Sequence, residues 1–154
     1  MLTTIIPITI SVAALGFSAF TWRERRSNDK RDLFLRMHER LIDLDLQHGR
    51  RILRQQVHSA KDVEKLLRDR YEDYEIVSRA LSMLDIAALY VERGYIDKSL
   101  FMEEWSSVYA GLKESVVMLV MERAKSNPSY MWSWPHFQAL ANEAHKLTSG
   151  QGSQ

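Results

Sequence analysis

The sequence predicts an all-α protein: an N-terminal transmembrane helix followed by a cytoplasmic helical bundle of about four to five helices. Three observations carry that reading. Three prolines and six glycines in 154 residues suit long helices better than turn-rich sheet. Apolar residues recur every three or four positions over long stretches, and no stretch alternates as a half-buried strand would. Residues 2–22, LTTIIPITISVAALGFSAFTW, contain no charged side chain.

That opening stretch is long enough to span a bilayer, because about 20 helical residues cross a hydrocarbon core of roughly 30 Å. Its Ser and Thr are tolerable in such a helix because their hydroxyls can bond back to the preceding turn, and Pro7 falls in the first turns, where a missing N–H costs least. Trp22 falls at the headgroup level, which suits an amphipathic ring. A cleaved signal peptide needs a basic stretch before the apolar one; here Arg23, Arg25, Arg26, Lys30 and Arg31 come after it. The positive-inside rule therefore sets the N-terminus outside and the C-terminal domain in the cytoplasm, at the cell inner membrane.

Those five cations, with Glu24 and Asp29 between them, give residues 23–31 a net charge of +3. The whole chain carries only +1, so the remainder is mildly acidic. Each net cation near an anionic lipid contributes about 1 kcal/mol, which makes the five candidate membrane-surface contacts. The expected partners are thus the lipid bilayer and its anionic headgroups. No ionisable residue lies within the span, so an ion path or proton relay has no basis. Ala14 and Ser18, with Gly16 between them, would permit close helix packing, although simple lipid contact is the plainer reading. The resulting domain plan is an anchor (1–22), a basic juxtamembrane segment (23–31), a helical domain (32–147) and a flexible polar tail (148–154).

Beyond the anchor, Leu33, Met37, Leu41 and Leu44 mark a helix over about residues 29–47, its first half open to being a continuation of the membrane helix. Gly49 reads as a break before a short helix with Ile52, Leu53 and Val57. Ser59 and Asp62 form a capping box, starting a helix that reaches about Arg93 with an interruption near Tyr71. Gly94 is its stop. Asp97 caps the next helix, over about 98–125, with Phe101, Trp105, Val108, Leu112, Val116 and Leu119 as one apolar stripe. Asn127 and Pro128 end it, and Pro135 opens a last helix presenting Phe137, Leu140, Ala141, Ala144 and Leu147. Residues 76–91 are apolar round most of the helix, leaving a polar strip of Ser78, Ser82, Asp85 and Glu92 nearby. Such a helix belongs at the centre of the bundle.

The stretches SRALSMLDIAALYVERGYIDKSL (78–100) and NPSYMWSWPHFQALANEA (127–144), with residues 105–109 and Arg123 between them, resemble a bacterial family. Its members are small membrane-anchored helical proteins, classified as a domain of unknown function. The similarity covers roughly residues 5–147, on loose and mostly apolar motifs. It implies one N-terminal membrane helix and a cytoplasmic bundle, and it brings no catalytic residue. An Asn and a Glu often stand in that family where this chain has Ser82 and Asp85.

The chain has no cysteine, hence no disulfide, thiol nucleophile or thiolate metal site. Phosphate-cradling glycine loops and nucleophile elbows are absent from the sequence. Asp45 and His48 share a helix face, but a di-metal bundle needs a second such pair, so a solvated pair is expected. His38, His58, His136 and His145 lack zinc-ligand spacing and read as surface residues. Arg50, Arg51, Arg54, Lys61, Lys65 and Arg68 are interleaved along the chain with Asp62, Glu64, Asp69, Glu72 and Asp73. They read as a solvated face, and no nucleic-acid partner is expected.

Ser82 and Asp85 are read as a buried polar seam, with Asp85 a bonded structural carboxylate rather than a catalytic one. YMWSWPHF (130–137) packs four aromatic rings into eight residues. It either docks the last helix or offers Tyr130, Trp132 and Trp134 to a partner. The function expected is a membrane-tethered interaction or regulatory module, not an enzyme, with no cofactor and with a protein partner or a homo-oligomer. The alternative is a ligand-sensing membrane effector, for example in phage defence, whose anchors cluster and disturb the membrane.

Overall fold

The computed structural model describes the backbone of residues 2–150, and the side chains of residues 18–150 other than 19, 23, 26 and 27. The elements are α1 (Leu2–Leu41), α2 (Leu44–Gln56), α3 (Ala60–Arg68), α4 (Tyr71–Glu92), α5 (Lys98–Ser126), a 3-10 turn (Pro128–Trp132) and α6 (Pro135–Gly150). No strand occurs among the described residues, so the fold is an all-α bundle.

Among the described residues no helix is long and apolar enough to cross a membrane. The expected anchor, residues 1–22, falls for the most part outside the described side chains, so the transmembrane part of the expected architecture has no support there. Of the five basic residues after it, Arg23 and Arg26 also lie outside; Arg25 and Arg31 are exposed and Lys30 is half-buried.

Helix α1 runs unbroken for 40 residues, and its C-terminal end enters the core through Phe34, Met37 and Leu41. It stops at Ile42–Asp43, where Asp43 caps α2 by accepting from the Asp45 N–H at 3.0 Å. The α1 end is satisfied in turn by Arg50, whose guanidinium donates to the Leu41 carbonyl at 2.6 Å.

Gly49 does not break this region as the sequence predicts; it lies buried inside α2. A Cβ there would stand 2.7 Å from the Ile76 carbonyl oxygen and 2.9 Å from the Ala80 Cβ. The glycine is a contact residue, letting the α2 and α4 backbones approach closely. The capping box holds: Asp62 accepts from the Ser59 hydroxyl at 2.8 Å, and Ser59 accepts from the Asp62 N–H at 3.3 Å. The Ser59 hydroxyl and the His58 N–H hold the Asp62 carboxyl below its ordinary value. The interruption falls at Asp69–Arg70, just before α4.

Helix α4 touches α1, α2, α3, α5 and α6. Its wide apolar surface is what makes this possible: Val77, Ala80, Leu81, Leu84, Ala87, Ala88 and Val91 are all buried. It ends at Gly94, whose φ of +69° is the left-handed conformation glycine adopts without a Cβ clash. Asp97 then caps α5 by accepting from the Leu100 N–H at 3.0 Å. The α5 stripe is buried except for half-buried Val108, and Tyr109, Ser115 and Val120 widen it. Trp105 packs between Phe101 (6.3 Å between ring centres) and His38 (5.6 Å), and its indole N–H has no hydrogen-bond partner. His38 is accordingly half-buried rather than a surface residue, with Nδ1 also lacking a partner.

Helix α6 continues through Gly150, past the expected end at Leu147. Thr148 and Ser149 lie in this last turn, with their hydroxyls bonded back to the Ala144 and His145 carbonyls at 3.2 and 2.7 Å. Residues 151–154 of the expected tail lie outside the described residues.

The α2–α4 approach gives a test with an unusual sign. Gly→Ala inside a helix ordinarily stabilises by about 0.5–1 kcal/mol. Gly49→Ala is instead expected to destabilise by about 1–3 kcal/mol, since the clash is with backbone. Gly111→Ala, where nothing lies within 4 Å of the new Cβ, is expected to show the ordinary gain. Denaturant midpoints of the two variants check this, and a stabilised Gly49→Ala would rule out the close approach.

Candidate functional site

A helix start leaves its first N–H groups without intrahelical partners. At α6 the first residue is Pro135, which has no N–H to satisfy, but the residue before it is Trp134, which has no capping oxygen. The missing acceptor comes from α4. Asp85 Oδ1 accepts from the Phe137 N–H at 2.8 Å, across 52 residues of sequence. Phe137 is the third residue of α6, where a local cap ordinarily bonds, and a carboxylate also suits the positive end of the helix dipole.

The rest of the polar strip faces the same segment or its flank. Ser82 Oγ accepts from the Trp134 indole N–H at 3.2 Å. Glu92 Oε2 lies 2.6 Å from His136 Nδ1. The seam is therefore real but not buried: Ser82 is exposed and Asp85 half-buried, because α6 covers the strip from one side only. Beneath it, the Tyr109 hydroxyl donates to the Leu84 carbonyl at 2.7 Å, and its ring stacks on Phe137 at 5.1 Å. Burial pushes that hydroxyl far above its ordinary pKa, so it remains a neutral donor.

Trp134 adopts φ of +51°, rare for a bulky residue. Such a conformation costs about 1–3 kcal/mol and persists only where its surroundings over-determine it. Here they do: the indole is 9% exposed, bonded to Ser82, and lies 5.1 Å from the Arg123 guanidinium. Arg123 is the centre of an aromatic cage, 4.0 Å from the Tyr130 ring and 5.6 Å from the Tyr74 ring. Each such contact contributes about 0.5–1 kcal/mol at partly exposed sites. Burial pushes the Tyr74 hydroxyl up, against the opposing pull of Arg123.

The cage fixes the 3-10 turn, whose start is tied by Asn127 Oδ1 accepting from the Ser129 N–H at 3.0 Å. Trp132, at the end of that turn, is 80% exposed. The three aromatic residues singled out by sequence thus take different roles. Trp134 is core and belongs to the docking of α6, Tyr130 covers Arg123 while staying 37% exposed, and Trp132 faces outward. Met131 and Tyr71 are exposed as well, and the Tyr71 ring lies 5.8 Å from that of Tyr74. Chemically this is a rigid aromatic surface around one cation.

Arg123 and Tyr109 stand in the sequence only among the positions of the family resemblance, with no site role of their own. Their register carries the signal: Tyr109, Leu112, Val116, Leu119 and Arg123 follow one another by three or four positions, so Arg123 prolongs the buried stripe. A cation on that stripe, seven residues before an aromatic run, needs rings to cover it. Asp45 and His48 do not act together: Asp45 is 4.0 Å from Arg79, and His48 Nδ1 is 2.9 Å from Arg51. Among the described residues no three His, Asp or Glu side chains are grouped as metal ligands.

The cap across the bundle has a graded signature. Asp85→Leu removes the acceptor and is expected to destabilise by about 1–2 kcal/mol, the upper range for a lost cap. Asp85→Asn keeps an oxygen acceptor and is expected to lose clearly less. Thermal melts of the full chain in neutral detergent compare them; equal losses would show that the Phe137 N–H does not depend on the side-chain oxygen.

Comparisons of the chain with family models, curated proteins and solved structures find no match in any of the three.

Proposed function

We propose that this chain is a membrane-tethered interaction module: residues 1–22 cross the inner membrane, residues 23–31 meet anionic headgroups, and the cytoplasmic bundle presents its aromatic turn to a protein partner. The observation that carries this reading is Trp132, a large aromatic 80% exposed on a turn that neighbouring contacts hold rigid. Tryptophan is enriched at contact hot spots, and a pre-ordered ring loses little entropy on binding. The tether is supported by the charge step after Trp22 and by the continuity of α1 from the apolar stretch into the core. A one-piece helix would couple the anchor to the bundle.

A second reading, a ligand-sensing effector whose anchors cluster and disturb the membrane, is favoured by one observation, the arginine-lined cleft described below.

Two measurements test the proposal. A C-terminal reporter that is active only outside the inner membrane is expected to stay silent, and an active one would reverse the orientation. Trp132→Ala is expected to melt like the wild type yet lose partner capture from native membranes by about 30-fold, the scale of a hot-spot residue. Undiminished capture by Trp132→Ala would remove the aromatic turn from the partner surface.

A further inference from the structure

The six cations that sequence interleaves with acids are separated by the fold. Arg68 pairs with Glu64 on α3 at 2.7 Å, as a solvated face should. Arg50, Arg51 and Arg54 stand apart on α2, whose residues 46–56 include no acid. Among the described residues none of these three arginines forms an ion pair.

They line a cleft of about 280 Å³ between α2 and α5. On the α2 wall, Gln47, Arg51 and Gln55 form one row at four-residue spacing, and Arg50 and Arg54 form the row beside it. All five side chains offer N–H donors, and no carboxylate lines the cleft. The α5 wall is of opposite character: Val108, Leu112 and, between them, Gly111, which leaves a flat patch because nothing lies within 4 Å of where its Cβ would be.

Arg50 sharpens the requirement. It is half-buried, lies 5.4 Å from the Trp105 ring, and has one nitrogen engaged by the Leu41 carbonyl. Burial pushes its guanidinium below the ordinary pKa. Arg51 has one nitrogen on His48, and Arg54 has no hydrogen bond among the described residues. Several fork-shaped donors therefore converge on the cleft, the geometry that favours phosphate. The volume lies near the small end of ligand pockets, about 300 Å³, which suits a small molecule rather than a polymer.

We infer that this cleft binds a small phosphate-bearing molecule with a flat apolar group, a nucleotide in chemical class. The phosphates lie on Arg50, Arg51 and Arg54, and the base lies against Val108, Gly111 and Leu112. The site is independent of whether residues 1–22 span a membrane. Because Arg50 also holds the last turn of α1, an occupied cleft touches the end of the helix that carries the apolar stretch.

Calorimetric titration of the full chain in neutral detergent, at about 50 mM salt to limit screening, tests this with two probes, ADP and inorganic pyrophosphate. Both are expected to bind. Arg51→Ala with Arg54→Ala, exposed positions that leave the Arg50 contacts intact, is expected to weaken both by about tenfold or more. Gly111→Leu keeps every charge and fills the flat patch, so it is expected to weaken ADP and spare pyrophosphate. Circular dichroism of each variant, expected to match the wild type, separates loss of binding from loss of fold. The inference is overturned if neither probe binds at millimolar concentration, or if the arginine variant binds both as the wild type does. An unchanged ADP affinity in Gly111→Leu overturns the base assignment. Displacement of ADP by short-chain phosphatidylglycerol, but not by phosphatidylcholine, overturns the nucleotide in favour of a lipid headgroup.

Discussion

One hydrogen bond organises the C-terminal third of this protein: the Asp85 carboxylate on the Phe137 N–H. Without it α6 starts at a proline preceded by a strained tryptophan and has no cap of its own. With it, the start of α6 is fastened to a helix that touches all the others. The contacts that follow are individually small. A cap is worth about 0.5–2 kcal/mol, a cation–π contact about 0.5–1, and the Trp134 conformation costs about 1–3. The strain is of the same order as any single contact, so the turn persists because Asp85, Ser82 and Arg123 act together. Such over-determination is what keeps an exposed tryptophan in one place.

The other half of the bundle has a steric constraint in the corresponding role. Gly49 sets how closely α2 approaches α4, and α2 then also packs along α5. Its arginine rows face the cleft there, while its last-turn neighbour Val57 receives the Ser115 hydroxyl of α5 at 3.0 Å through its carbonyl. Helix α5 is thus common to both surfaces, contributing Gly111 to the cleft and Arg123 to the cage. Their separation of 12 positions amounts to roughly 18 Å of helix. Both surfaces are cationic centres beside apolar side chains, in a domain whose other charges are largely solvated or paired.

Much of the helical plan was legible from residues alone, because its signals are local. The Ser59–Asp62 box, the Asp97 cap, the Gly94 stop and the Pro135 start each act within a few residues. The wide apolar arc of residues 76–91 likewise announced a central helix. What failed depends on distance in sequence. Gly49 reads as a breaker until Ile76 and Ala80 are set against it. Charges interleaved along 50–73 stay mostly exposed, as a solvated face should, but α2 and α3 divide them in a way the sequence order does not show. Asp85 reads from sequence as a bonded carboxylate, yet its donor lies 52 residues away, beyond any spacing rule. The aromatic run could not be apportioned between core and surface, since that division is made by Arg123, a residue outside the run.

The most direct measurement is amide hydrogen exchange of Phe137 in the full chain, by nuclear magnetic resonance in detergent micelles. If the α4 carboxylate caps α6, this N–H in the first turn exchanges as slowly as amides inside α4, because opening it requires α6 to leave the bundle. Exchange at the rate of an uncapped first-turn amide, with α4 itself protected, would contradict the central role of Asp85.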